Sequence, residues 1–219
     1  DLSLSKLVTD LNVTRADKSQ QLRDFNVHLP TGMVANATAV PQCTQVNAAA
    51  GNCAVGTQVG TINTTIGSGN ETLSISGGAI HNVVPNLNEP ARLQAIIPVV
   101  VGPFDLGKLT IPVLTSLRPD MGVDAETQVP LRYEGIAVRI RSMQMVLSGI
   151  VGGNGFMINP SKCQVNTVSA DMVSDSSNTA TGSFNFTTNG CPSNFGANPT
   201  ITANVSPSET QRPTGLTIG

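Results

Sequence analysis

Along the chain, apolar and polar residues alternate with a period of two in segment after segment, and the spacing of an amphipathic helix hardly occurs. Phe25, Val27 and Leu29 alternate with polar neighbours up to Pro30-Thr31-Gly32. Leu73 and Ile75 do so before Gly77-Gly78, and Leu109, Ile111 and Val113 follow Gly107. Successive side chains of a strand point to opposite faces, so each segment reads as a strand with one face buried. The longest run, Ile136 to Leu147, has apolar residues at even positions through Ile140 and at odd positions from Met143. One extra residue in a strand inverts the side-chain phase, so a β-bulge or kink is predicted near Arg141-Ser142. Pro98 and Pro112 interrupt apolar runs and are expected at strand edges or bulges, because proline lacks the ladder donor.

One short stretch has helical character. Gln45 to Ala50, closed by Gly51-Asn52, suits a turn or two of helix between Cys43 and Cys53, with an ordinary loop as the competing reading. Glycines are densest from Gly149 to Gly155, which marks a candidate boundary. The expected fold is therefore all-β: one or two antiparallel β-sandwich (Ig-like) units with a short helix in a disulfide loop. Residues 1–152 would form a larger sandwich domain. Residues 153–219 would form a smaller β-rich unit, opened by Phe156 to Cys163, with strands at Val165–Val173, Ser183–Thr188 and Ile201–Val205 and a last strand available to a neighbour.

Composition narrows the function. Twelve Lys+Arg stand against fourteen Asp+Glu in 219 residues, which leaves no basic face for nucleic acid. The longest apolar run, Ala95 to Val101, is far short of the roughly 20 residues that a membrane-spanning helix needs. The aromatic girdles of an outer-membrane barrel would need Trp and Tyr, and the chain has no Trp and one Tyr, Tyr133. It opens on Asp1-Leu2-Ser3-Leu4 without an initiator Met or a leader, as expected of a processed or partial sequence.

The four cysteines, Cys43, Cys53, Cys163 and Cys191, permit three disulfide connectivities. The sequential one keeps each bridge inside a local unit, and its two loops would contribute about 3 and about 3.5 kcal/mol in the chain-entropy model. Buried free thiols in a cytosolic protein are the competing reading. The spacings do not match the knuckles of a zinc site. Six Asn-x-Ser/Thr sequons, at Asn12, Asn36, Asn63, Asn70, Asn185 and Asn204, are no more than an Asn- and Thr-rich chain generates by chance.

Sequence motifs for chemistry are missing: there is no GxSxG elbow, P-loop, HExxH pair or EF-hand loop. His28 and His81 are the two histidines, each able in principle to meet a Ser and an Asp in space. Asp120, Asp124 and Glu126, with Asp105, would suit Ca²⁺ through oxygen ligands, but solvated turn residues are the preferred reading. Asp171 and Asp175 are a carboxylate pair that a hydrolase would use. The expectation is no catalytic residue, no metal, no cofactor and no enzymatic activity.

Together the motifs resemble a module of large secreted bacterial surface proteins, of the kind found in actinobacteria and proteobacteria. The resemblance rests on Phe25 to Leu29 ending in Leu29-Pro30-Thr31-Gly32, then Pro41-Gln42-Cys43, Cys53, and Thr57-Gln58-Val59-Gly60. It continues through Val129-Pro130-Leu131, Val138-Arg139-Ile140, Leu147-Ser148-Gly149 and Phe156 to Cys163, with Cys191 as the last cysteine. It implies secretion, paired disulfides, tandem repetition and no enzymatic activity. Such modules close on a Thr-Gly-Leu-x-Ile/Val strand, matched here by Thr214-Gly215-Leu216-Thr217-Ile218.

The functional expectation is an extracellular structural or adhesive protein, a self-assembling subunit or tandem module of a surface filament, sheath or layer. Leu2, Leu4 and Leu7 at one end and Gly215, Leu216 and Ile218 at the other are the expected self-association residues, since a terminal strand offers ladder groups to another copy. The alternatives are pairing of both terminal strands within their own sandwich and, for function, a carbohydrate- or host-binding module with a glycan or cell-surface partner. Scarce aromatics weaken the binding module.

Overall fold

The computed structural model describes residues 8–16, 19–68, 70–191, 203–206 and 215–218. The period-two segments are strands, as expected. In chain order they are β1 (Val8–Thr14), β2 (Leu22–His28), β3 (Val34–Ala35), β4 (Gln58–Ser68), β5 (Glu71–Val83), β6 (Arg92–Val101) and β7 (Phe104–Leu117). There follow β8 (Val123–Gln128), β9 (Arg132–Tyr133), β10 (Ile136–Ala137), β11 (Ile140–Ser148), β12 (Ile150–Val151), β13 (Asn154–Gly155) and β14 (Met157–Ile158). The last are β15 (Val165–Ser174), β16 (Thr179–Thr187), β17 (Ala203–Ser206) and β18 (Gly215–Ile218), and one helix, α1 (Gln45–Ala49), lies between β3 and β4.

Ten strands form one antiparallel sheet in the order β1-β11-β4-β5-β6-β7-β8-β2-β15-β16. That order forces curvature. Seven inter-strand steps separate β1 from β2, which in a flat sheet is about 34 Å at ~4.8 Å per step. The chain from Thr14 to Leu22 is eight residues, able to span at most about 28 Å. The sheet therefore curls until its two ends approach, and its own halves face each other across one core in a sandwich-like arrangement.

Register follows the phase of the side chains. In β4, Ile62 and Thr64 are buried while Thr61 and Asn63 are exposed. The β11–β4 ladder shifts register between Ile140 and Ser142, the bulge expected from the change of parity, and it keeps both Ile140 and Met143 in the core. Pro98 lies at a register shift of the β6–β7 ladder. Pro112, by contrast, is not at a bulge: it stands within the β6–β7 ladder opposite Gln94, and only on its other side is it free of a ladder, since the β7–β8 pairing spans Val113–Leu117.

The core runs through the whole curl. Phe25 from β2 and Phe156 before β14 are 1% and 0% exposed, and Val59, Ile80, Ile97, Ile111 and Met143 join them from five other strands. Each such side chain contributes about 1.5–3 kcal/mol on burial, so the strands are held mainly by this shared interior.

The helix is real and short. Thr44 caps it, its hydroxyl accepting from Asn47 N–H at 3.3 Å, and Gly51 leaves it at φ +70°. The Lys108 ammonium on β7 donates to Gly51 C=O at 2.8 Å, and Cys43 exchanges backbone hydrogen bonds with Asn82 and Val84. These contacts dock the loop on the sheet, and the Cys43–Cys53 disulfide closes it. Cys163 and Cys191 are disulfide-bonded too, and none of the four cysteines is free.

The boundary expected at residue 152/153 is not where the chain divides. Two compact units comprise residues 1–189 and 190–219. Gly152-Gly153 is the turn of the β12–β13 hairpin, β14 pairs with β3, and β15 pairs with β2 inside the large sheet. The physical reason is pairing: a glycine-rich turn reverses a chain as readily as it separates domains. In the second unit β17 and β18 pair antiparallel, Ala203 opposite Ile218 and Ser206 opposite Gly215.

Candidate functional site

Leu2, Leu4 and Leu7 lie outside the described residues. Gly215, Leu216 and Ile218 form β18, whose one edge is occupied by β17 of the same chain. Among the described residues, the open edges of the large sheet belong to β1, paired to β11 on one side, and β16, paired to β15 on one side.

Alternation alone does not mark β16 as an edge, because pairing order leaves no trace in it. Its nine residues, Thr179 to Thr187, include no charged side chain and no proline. Natural edge strands are normally protected by those very residues. The even positions turn toward the sheet's inner side: Ala180, Gly182 and Phe184 face Met172, Ala170 and Val168, and Phe186 packs on the core. Phe184 remains 68% exposed because no strand lies beyond it. Asn185 of the Asn185-Phe186-Thr187 sequon accepts a hydrogen bond from the Thr167 hydroxyl at 2.8 Å.

The two histidines have separate surroundings. His28, at the end of β2, lies between β8 and β15, with Nδ1 2.8 Å from Asp124 and Nε2 3.0 Å from Asp171. Two carboxylates on one ring favour the imidazolium, which donates from both nitrogens. The Asp124 hydrogen bond raises the His28 pKa, partial burial opposes it, and Asp171 adds to the rise. Burial pushes Asp124 up, but hydrogen bonds from His28 and Arg118 outweigh it and hold this carboxyl below its usual range. Arg118 also binds Asp120 at 3.1 Å and donates to Leu29 C=O at 2.9 Å. His81 is buried, its Nδ1 2.9 Å from the Thr57 hydroxyl, and desolvation with the nearby Lys108 lowers its pKa.

Three of the four acidic residues have partners within the protein. Asp120 and Asp124 share Arg118, Asp105 accepts from Gly107 N–H at 2.9 Å, and no cluster of three metal-ligating side chains occurs among the described residues. Nor do Asp171 and Asp175 act as a pair. Asp171 serves His28, whereas Asp175 accepts from Gln21 N–H at 3.3 Å.

A third feature lies inside the curl. Side chains from β2, β4 to β8 and β11, with the β9–β10 hairpin, line an apolar cavity. The row Ile62, Thr64, Ile66 on β4 points into it. Its sequence signal, a Thr in an inward phase between two Ile, is faint because Thr is common in strands.

No protein-family model, no curated protein and no solved structure matches the chain. No helix among the described residues is long and apolar enough to cross a membrane. Two disulfides point to an oxidising, non-cytoplasmic setting.

Proposed function

We propose that this chain is an extracellular structural or adhesive module that associates with like modules through the edges of its β-sheet. The observation that supports this reading most is β16: nine residues of open edge with no charge and no proline, in a chain with 26 charged residues among its 219. An unguarded edge of that length offers a row of N–H and C=O groups to another strand, and the resulting contact is head-to-tail in kind. Low net charge, −2, adds little repulsion between copies. Disulfides keep the module closed where no reductant protects or repairs it.

The experiment introduces the missing guards. Thr181 and Ser183 occupy the face opposite the inward Ala180 and Phe186, so Thr181→Lys with Ser183→Lys charges the edge without entering the core. Light scattering over a concentration series and negative-stain microscopy should show the parent associating and the double variant monomeric at unchanged melting temperature. A parent that stays monomeric at millimolar concentration, or a variant that associates equally, would sink the proposal.

A further inference from the structure

We propose that the interior of the curled sheet is a binding site for a neutral, mainly hydrocarbon molecule bearing one hydrogen-bonding oxygen, with the Thr64 hydroxyl as its polar contact and the β9–β10 hairpin as its lid. This site is independent of the sheet edges.

The lining is hydrocarbon except for the hydroxyls of Thr64, Thr127 and Tyr133. Tyr133 is engaged, donating to Leu106 C=O at 3.0 Å. Thr64 is not: it is 7% exposed, and its Oγ1 is buried with no hydrogen-bond partner. A buried hydroxyl is normally satisfied. Water is a poor candidate, since it needs two to four polar partners and the walls beside Thr64 on β4 are Ile62 and Ile66. A ligand oxygen meets the requirement while its hydrocarbon body meets the rest of the wall. No charged residue lines the cavity, so a carboxylate or ammonium group is not accommodated inside.

The cavity open to a water-sized sphere is about 60 Å³, well below the usual range for small-molecule sites, so a ligand enters only as the lining side chains repack. Met143 and Met145, both in the lining, are unbranched and adapt readily.

The hairpin supplies the way in. β9 and β10 pair only over Tyr133–Ile136 and Arg132–Ala137, around a tight turn with Glu134 at φ +46° and Gly135 at φ +78°. Ile136 lines the cavity yet is 48% exposed, so the hairpin is the boundary between the interior and solvent. A two-stranded hairpin has little stability of its own, and the Tyr133 hydrogen bond to β7 latches it across the mouth.

The test uses the full chain and the neutral probe N-phenyl-1-naphthylamine, whose fluorescence rises in apolar surroundings. Saturable binding of one probe per chain is expected, displaced by 1-dodecanol and far less by dodecanoate. Ala95→Leu, which places added methyls in the cavity, should weaken the probe more than tenfold. Thr64→Val should weaken dodecanol by about two- to tenfold, the worth of one net hydrogen bond. Should Ala95→Leu fail to fold, Tyr133→Phe leaves the core intact and should accelerate probe association in stopped flow. Non-saturable binding, dodecanoate binding as tightly as dodecanol, or affinities indifferent to Ala95→Leu and Thr64→Val would overturn the site. An unchanged association rate in Tyr133→Phe would overturn the lid.

Discussion

Thr64→Val should make this protein more stable, against the usual direction of a core substitution. Val and Thr have the same shape and both suit a strand, so packing between Ile62 and Ile66 is preserved. The hydroxyl removed is buried without a partner, and such a group costs about 1–3 kcal/mol. Relieving that cost at about 2–4 °C per kcal/mol for a chain of this size predicts a melting temperature raised by roughly 2–12 °C. Thr57→Val is the matched control. Thr57 is 5% exposed, and its hydroxyl donates to Ala54 C=O at 2.7 Å and lies 2.9 Å from His81 Nδ1. The same isosteric change there leaves the buried His81 Nδ1 without its partner, while Ala54 C=O keeps the Thr57 N–H at 3.0 Å, and should destabilise by about 1–3 kcal/mol. Guanidinium titrations report both, with midpoints moving in opposite directions at constant slope. If both variants lose stability by similar amounts, the Thr64 hydroxyl has a partner and its reading as an unsatisfied group is wrong. A stabilised Thr64→Val that also binds dodecanol less well would show a residue kept for binding at a cost in stability.

Other outcomes follow from the same structure. The His28 pKa is raised in the fold, so the stability it contributes is complete below its ordinary value of about 6.5 and is lost as pH rises through the raised value. Denaturation midpoints should fall across that window in the parent and stay flatter in His28→Gln; equal slopes would show that the two carboxylates do not hold the ring. Replacing Cys43 and Cys53 together by Ser opens a ten-residue separation and should cost about 3 kcal/mol, read from urea midpoints. A loss under about 1 kcal/mol would mean that the loop is held by its contacts with β5 and β7 rather than by the bridge.

Much of the architecture is legible in the sequence, because strand faces obey a strict period of two. Phe25, Ile75 and Ile111 announce their burial by alternation, and the parity change between Ile140 and Met143 marks the bulge to the residue. The helix in the first disulfide loop is readable from Ala and Gly. The candidate sites are less legible. His28, Asp124 and Asp171 are separated by 96 and 143 residues and meet only because β2 lies between β8 and β15. The acidic group reads in the sequence as solvated turn residues, whereas in the fold Arg118, two residues before Asp120, turns back to pair with both Asp120 and Asp124.

Local chemistry therefore settles which segments are strands, which faces are apolar, where turns fall and that the four cysteines suit an oxidising setting. These follow from backbone sterics and side-chain solvation within a few residues. Strand order, the identity of β16 as an open edge, the placement of the glycine turn inside one sheet, and the enclosure of Thr64 in a hydrocarbon cavity belong to the curled sheet as a whole. They depend on long-range pairing, which is decided by how all ten strands share one core, and no window of a few residues carries that information.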